Sequence, residues 1–331
     1  MNKLKIGMIS FAHGHAFSYL NALLKLPQVE VVGIADEVKS RVEGVVTKHN
    51  IAYYADYNEL LADSGADAVI ICSENARHAE HTIASAKAKK HVICEKPLGI
   101  SVEEMEQMIA AANDNGVQLL TAFPCRYLAA VVQAKAAVDR GDIGQILAIK
   151  GTNRGSMPGG WFVQPELSGG GALLDHTVHV MDLMNWFTGA QVEEVYAYAA
   201  TIFHEDLQVD DTGMMHVKFD NGVFGVIDTS WSRLKAFPTW GDVTMEIVGT
   251  KGSISVDSLN QKNEFFNEKL GKGQYLSWAD NMDFYMVKSF VEAIIEGKPS
   301  PISGVDGMRS AEVALAGYRS VKSGQPVKLR G

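Results

Sequence analysis

The 331-residue chain carries 30 Lys and Arg against 39 Asp and Glu, a formal net charge of -9, and is 47% hydrophobic. That length supports two cores, and an acidic balance without a basic run excludes a surface built for nucleic acid phosphates. No segment reaches the roughly 20 apolar residues of a membrane-spanning helix. Lys3 and Lys5 precede an apolar stretch, but His13 and His15 interrupt it and no small-residue cleavage site follows, so no secretory signal is expected. Cys72, Cys94 and Cys125, with no CxxC pair, read as reduced thiols of a cytoplasmic protein.

The first ~120 residues alternate strand and helix signals in βαβ rhythm. Residues 5–9 predict a strand and 17–26 a helix stopped by Pro27; residues 29–35 (VEVVGIA) predict a β-branched strand. Helices follow at 40–49 and 57–62. Residues 68–72 (AVIIC) have the fully apolar character of a buried parallel strand. An alanine-rich helix is expected over 76–89, a strand over 91–94, a helix from the Ser101/Glu104 capping box to Asn115, and a strand over 117–122. Such a train predicts a Rossmann domain, a doubly wound parallel sheet, over 1–122. The remainder, 123–331, reads as an α+β domain with an open, mostly antiparallel sheet. Its signals are helices at 128–140 and 172–187, strands at 146–151, 192–201, 212–219, 223–231, 243–248 and 253–256, and closing helices at 282–296 and 305–323. Asn221-Gly222 predicts a hairpin turn and Lys251-Gly252 another. The stretch 155–171 reads as a glycine-rich loop, and no internal repeat is present.

Five places carry chemistry. In the first βα turn, a dinucleotide site places small residues so that the backbone reaches the pyrophosphate. Aligned on G-x-G-x-x-G, the glycines fall on Ser10, Ala12 and His15, so all three are absent, and Phe11 and His13 complete the turn. Asp36, about 20 residues on at the end of the second strand, suits a ribose hydroxyl and repels a 2′-phosphate, which favours NAD over NADP. The turns Ser73-Glu74-Asn75 to His78 and Glu95-Lys96-Pro97 follow parallel strands, where open α/β sheets bind ligands; Pro97 keeps Lys96 out of helical geometry. Finally, Asp175 and His179 stand i, i+4 on one helix face after three glycines, a carboxylate beside an imidazole that suits a general base for an alcohol. His176 points about 100° away, and Asp182 follows His179 by three.

Glu95-Lys96-Pro97, the GGG-x-L-x-D-x-x-x-H pattern ending at His179 and the two-domain rhythm together resemble the glucose-fructose oxidoreductase/inositol dehydrogenase/MocA family over nearly the whole chain. The resemblance implies an NAD(H)-dependent dehydrogenase acting on a sugar, inositol or related polyol. It implies Lys96, Asp175 and His179 as the catalytic set. Asp36, Ser73, Asn75, His78 and Glu95 would line the cofactor site, joined by the turn Ser10 to His15, Arg41, Glu74, Lys96, Pro97 and Arg126. Arg126, Trp161 and His176 would border the substrate with Lys96, Asp175 and His179. It further implies a homodimer or homotetramer formed through the second domain's sheet. Two departures stand out: the glycine-poor turn, and Glu74 where proline is common.

Other readings compete. Asp175, His176, His179 and Asp182 are ligand-type residues, but adjacent His176 leaves the Asp175/His179 face, so no metal is expected. The same residues would serve an NAD-using glycosidase that oxidises its substrate transiently. A degenerate phosphate turn also suits a dinucleotide or sugar sensor without turnover, although a binder has no need of a paired base.

Overall fold

The computed structural model describes residues 3–277 and 281–329, and the outermost limits of the predicted domains lie outside these residues. The chain forms two compact units. The first takes in Met1–Phe123, Gln164–Gly169 and Asp283–Glu312; the second takes in Pro124–Val163, Gly170–Met282 and Val313–Gly331.

The first unit begins β1 (Leu4–Ile9), α1 (His15–Leu23), β2 (Val29–Ala35), α2 (Glu43–His49), β3 (Tyr53–Tyr54) and α3 (Tyr57–Asp63). It continues β4 (Ala68–Ile71), α4 (His78–Lys87), β5 (His91–Cys94), α5 (Val102–Asp114) and β6 (Leu119–Thr121). The strands lie in the order β3-β2-β1-β4-β5-β6, all parallel. This is the expected Rossmann sheet, with its switch of direction between β1 and β4, where such sheets bind ligands outside the carboxyl ends. Every residue of β4 is buried, as a strand covered on both faces requires. Ser101 caps α5 through Oγ, 3.2 Å from the Glu104 N–H, a contact worth about 1 kcal/mol. The two-residue β3 is absent from the sequence reading because it has no length over which a period shows. α1 starts at His15, inside the predicted turn, and ends three residues before the expected stop.

The second unit holds α6 (Ala129–Asp139), β7 (Ile146–Arg154), α8 (Ala172–Thr188), β8 (Val192–Ala200), β9 (Thr212–Phe219), β10 (Phe224–Ser230), β11 (Thr244–Gly249), β12 (Ser253–Asp257), β13 (Lys262–Asn267), β14 (Lys272–Ser277) and β15 (Val327–Lys328). The short α7 (Pro165–Ser168), α9 (Met282–Glu296) and α10 (Gly304–Ser323) complete the chain. The large sheet runs β12-β11-β7-β10-β9-β8-β15. It is antiparallel throughout except for the parallel pair β7 and β10, so it is mixed and mostly antiparallel. Alternation in β9 sends Met215, Val217 and Phe219 into the core with Leu173, Val180 and Met184 of α8, and Met214, His216 and Lys218 out. Tyr198, Met214 and Phe224 are large apolar side chains exposed among the polar residues of the second unit. The hairpin β13–β14 was not legible, since its first strand, KNEFFN, does not alternate cleanly.

Candidate functional site

Four of the chemistry-bearing turns belong to the first unit. After β1 the chain enters the left-handed region at Ser10 (φ 64°), the conformation a glycine would supply, and Ser10 Oγ accepts the Ala12 N–H at 3.2 Å. Asp36, buried at the end of β2, accepts the N–H of Phe11 (Oδ2, 2.7 Å) and of Val38 (Oδ1, 2.8 Å). Arg41 sits between Asp36 (3.5 Å) and Glu74 (3.6 Å), so Glu74, at the position common to proline, is half of a two-carboxylate clamp on one guanidinium. A cavity of about 410 Å³ opens beside them, lined by Ser10, Asp36, Glu37, Tyr57, Arg77 and His81. Burial, with the charges of Arg77 and His78 beside it, pushes His81 down to about 3, so a neutral imidazole lines the cavity. Its Nε2 has no hydrogen-bond partner among the described residues, while Nδ1 meets Ser73 Oγ at 3.0 Å. Four carboxylates, Asp36, Glu37, Asp56 and Glu80, line this cavity against one guanidinium, that of Arg77, a balance that disfavours a 2′-phosphate and suits ribose hydroxyls.

The turns after β4 and β5 are tied together by His78. Its Nδ1 faces the Pro97 carbonyl (2.8 Å) and its Nε2 the Ser73 carbonyl (3.1 Å), and burial lowers its proton affinity. Asn75 donates to the Ser168 carbonyl (2.8 Å), anchoring α7. Glu95 is fully buried. It accepts from Tyr19 OH (2.7 Å) and the Lys96 N–H (2.9 Å) and faces His15 Nδ1 (3.2 Å). Lys96 is likewise buried and enters a cis bond to Pro97.

The second unit builds its polar cluster on α8. The helix starts at Gly171, where a Cβ would lie 1.9 Å from the Asp210 carbonyl oxygen, so only glycine fits. Asp210 then caps the helix: its carboxylate accepts the N–H of Gly171 (3.2 Å) and Leu173 (2.7 Å), and Tyr318 OH donates to it at 2.7 Å. Burial nevertheless raises Asp210 above the usual carboxylate range. One turn in, Asp175 Oδ2 accepts the Trp231 indole N–H at 3.1 Å and faces His176 Nε2 at 3.3 Å. His176 donates Nδ1–H to the Asn153 carbonyl (3.0 Å), so an ion pair with Asp175 requires a second proton on Nε2. His179 is buried, with Nδ1 3.8 Å from Cys125 Sγ. Arg126 grips Asp182 with two parallel bonds, Nε to Oδ2 at 2.7 Å and Nη2 to Oδ1 at 2.5 Å, and its guanidinium lies 5.3 Å from the Trp186 ring. Trp161 is half-buried, stacked on Phe162 at 3.9 Å.

Sequence reasoning missed Tyr19, Trp231, Asp210, Tyr318 and His81. Only Tyr19 had a local signal, since it stands four residues beyond His15 on α1. Among the described residues, the His and carboxylate group whose ligand atoms lie within 4.8 Å of one another is His13, His15 and Glu95.

Comparison with known proteins agrees with this architecture. Residues 4–123 match the oxidoreductase family with an NAD-binding Rossmann fold, and residues 131–255 match the GFO/IDH/MocA C-terminal domain. The chain is 32% identical over 289 residues to myo-inositol 2-dehydrogenase of Thermotoga maritima, covering 83% of this chain and 84% of that protein. It is 26% identical over 336 residues to scyllo-inositol 2-dehydrogenase (NAD(+)) of Bacillus subtilis, covering 98% and 95%. A crystal structure of a probable dehydrogenase from Thermotoga maritima superposes with a TM-score of 0.86 at 29% identity, covering 98% of each chain. With both domains matched in order and a relative 32% identical over most of its length, this chain belongs to the GFO/IDH/MocA family of NAD-binding oxidoreductases.

Proposed function

We propose that the protein oxidises or reduces a secondary alcohol of a sugar, inositol or related polyol. The observation that carries this reading is the polar face of α8, which buries Asp175, His176, His179 and Asp182 in one helix. Buried ionisable groups gather where chemistry uses them. Asp182 pairs with Arg126, His176 donates to the Asn153 carbonyl and Asp175 accepts the Trp231 indole N–H. Asp175 and His179 we assign to the alcohol. The inositol dehydrogenases among the relatives favour a polyhydroxylated substrate.

When bound, NAD supplies the acceptor or donor of hydride. Ser10 to His15, Asp36, Arg41, Ser73, Glu74, Asn75, His78, Glu95 and Pro97 are assigned to holding it. The cavity beside Asp36 fits the adenosine ribose. His179 takes the alcohol proton, and Asp175, fixed by Trp231, orients the imidazole or binds a neighbouring hydroxyl. Lys96 donates to the reacting oxygen and stabilises its developing negative charge. Trp161 and His176 border the substrate, and Arg126 holds that border in place through Asp182. The three buried free cysteines suit a reducing cytoplasm. Tyr198, Met214 and Phe224, exposed on the large sheet, suit contact with a second copy, giving a homodimer or homotetramer.

A panel of inositols, sugars and polyols with NAD and NADP, read at the nicotinamide absorbance, tests the reading. Turnover of at least one cyclic or open-chain polyol with NAD is expected, and a panel without any absorbance change defeats it. A second expectation concerns selectivity. Asp36→Ala removes a buried charge from the ribose side and is expected to weaken NAD binding by about 10- to 100-fold, the worth of a charge-assisted hydrogen bond, while weakening NADP binding less. Calorimetric affinities for both dinucleotides decide this, and an unchanged ratio removes Asp36 from that role.

A further inference from the structure

In dinucleotide-binding turns of this architecture, backbone N–H groups at the start of the first helix meet the pyrophosphate. Here four of those donors already have acceptors within the chain. The N–H of Phe11 goes to Asp36 Oδ2 (2.7 Å), that of Ala12 to Ser10 Oγ (3.2 Å), that of His13 to the Cys72 carbonyl (2.9 Å) and that of His15 to His13 Nδ1 (3.1 Å). What the turn offers in their place is imidazole: the His13 and His15 rings lie 4.2 Å apart by centroids. His13 is buried, whereas the His15 side chain is 36% exposed and rests on the wholly buried Glu95.

We propose that the His15 imidazolium, paired with Glu95, is the pyrophosphate contact that replaces the missing glycine-loop donors, so that dinucleotide affinity is linked to one proton. The inference rests on NAD binding by the first unit and not on the substrate proposed above.

The surroundings of His15 support a cation there. Burial disfavours the charged ring, but the charge and hydrogen bond of Glu95 outweigh it, and His15 is raised above 6.5. Glu95 is pushed up by burial, yet His13, His15 and Lys96 hold it well below the usual range, so it stays a carboxylate. The other groups facing this cluster are Tyr19 on α1, Cys72 after β4 and Asp283 on α9. Burial pushes Tyr19 and Cys72 well up, and both remain neutral. Asp283, raised from 3.8 by burial, is a carboxyl held by Ser18 Oγ at 2.5 Å. Of these groups, His15 is the imidazole whose charged form the adjoining Glu95 favours.

The same His13, His15 and Glu95 also have the spacing of a divalent-cation site. His13 decides for the anion. Its Nδ1 accepts the His15 N–H at 3.1 Å, and binding a metal through either ring nitrogen would require that bond to break.

The test is calorimetric titration of the full chain with NAD, ADP-ribose and adenosine from about pH 5.5 to about pH 9, the span over which a histidine changes charge. Wild-type affinity for NAD and for ADP-ribose is expected to fall about tenfold as pH rises through the His15 titration and then to level, the effect of losing one charge-assisted hydrogen bond. Adenosine, which lacks the pyrophosphate, is expected to bind equally across the range. His15→Gln should sit at the weak, pH-independent level, and His15→Lys should keep the tight level at every pH. In the unmodified protein, the His15 resonance should titrate at higher pH when ADP-ribose is bound. A pH-independent NAD affinity in the wild type, or a pH dependence that survives in His15→Gln, would overturn the proposal. So would tighter NAD binding on adding zinc or manganese to chelator-treated protein, when His15→Gln abolishes the gain.

Discussion

His179→Ala is expected to lower turnover by about 10²–10⁴-fold, the usual contribution of a positioned general base, with NAD affinity unchanged. The expectation follows from where His179 lies. It is buried on α8, one turn beyond Asp175, and Asp175 is itself fixed by the Trp231 indole. A water that replaced the imidazole would have neither its proton affinity at neutral pH nor its fixed direction. His179 lies in the second unit and the NAD-binding Rossmann domain is residues 4–123, so the variant separates chemistry from cofactor binding. Steady-state rates on the best polyol, with NAD affinity measured calorimetrically on the same preparation, provide the check. Near-normal turnover with NAD still bound would remove His179 from the reaction.

The second large effect is on stability. Asp182→Asn removes the carboxylate charge that takes two parallel hydrogen bonds from the buried guanidinium of Arg126. Both side chains are almost wholly inaccessible, 8% and 1% exposed, so solvent cannot screen what remains. Breaking a buried pair from one side costs about 3–5 kcal/mol, because the surviving charge stays desolvated. The unfolding midpoint in urea is expected to drop accordingly. Asp182→Leu combined with Arg126→Met, which removes both charges, should recover much of the loss, since a buried ion pair stabilises little over apolar residues of similar volume. Equal midpoints for Asp182→Asn and wild type would show that the pair is not desolvated. The Trp186 ring lies 5.3 Å from the same guanidinium.

The two units differ in how much of their chemistry was legible. In the first, parallel strands bury both faces, and runs such as Ala68 to Ile71 announce themselves by composition. The ends of those strands therefore located Asp36, Ser73 and Glu95 to Pro97 correctly in the fold. The first turn was readable as glycine-poor, but not as a turn that keeps glycine's left-handed conformation at Ser10. In the second unit the helix over α8 and the i, i+4 placement of Asp175 and His179 followed from spacing. The neighbours did not: His176 turned out to face the same carboxylate, because one side of a helix can be reached by an adjacent residue once its ring swings toward Asn153. The glycine-rich stretch 155–171 read as loop throughout, yet Pro165–Ser168 closes one helical turn that returns to the first unit.

By itself the sequence determined the order of strands and helices, the parallel character of the first sheet, and which residue types stand at its carboxyl edge. These are consequences of side-chain period, capping and β-branching, which act within a few residues. Only the tertiary structure decided the partners: Phe11 with Asp36 across 25 residues, Tyr19 with Glu95 across 76, Arg126 with Asp182 and Trp231 with Asp175 each across 56. It also decided the parallel pairing of β7 with β10 inside an otherwise antiparallel sheet. A buried polar group must find some partner, and that demand is written in the residue type. Which partner it finds depends on how distant loops return, and no local periodicity carries that information.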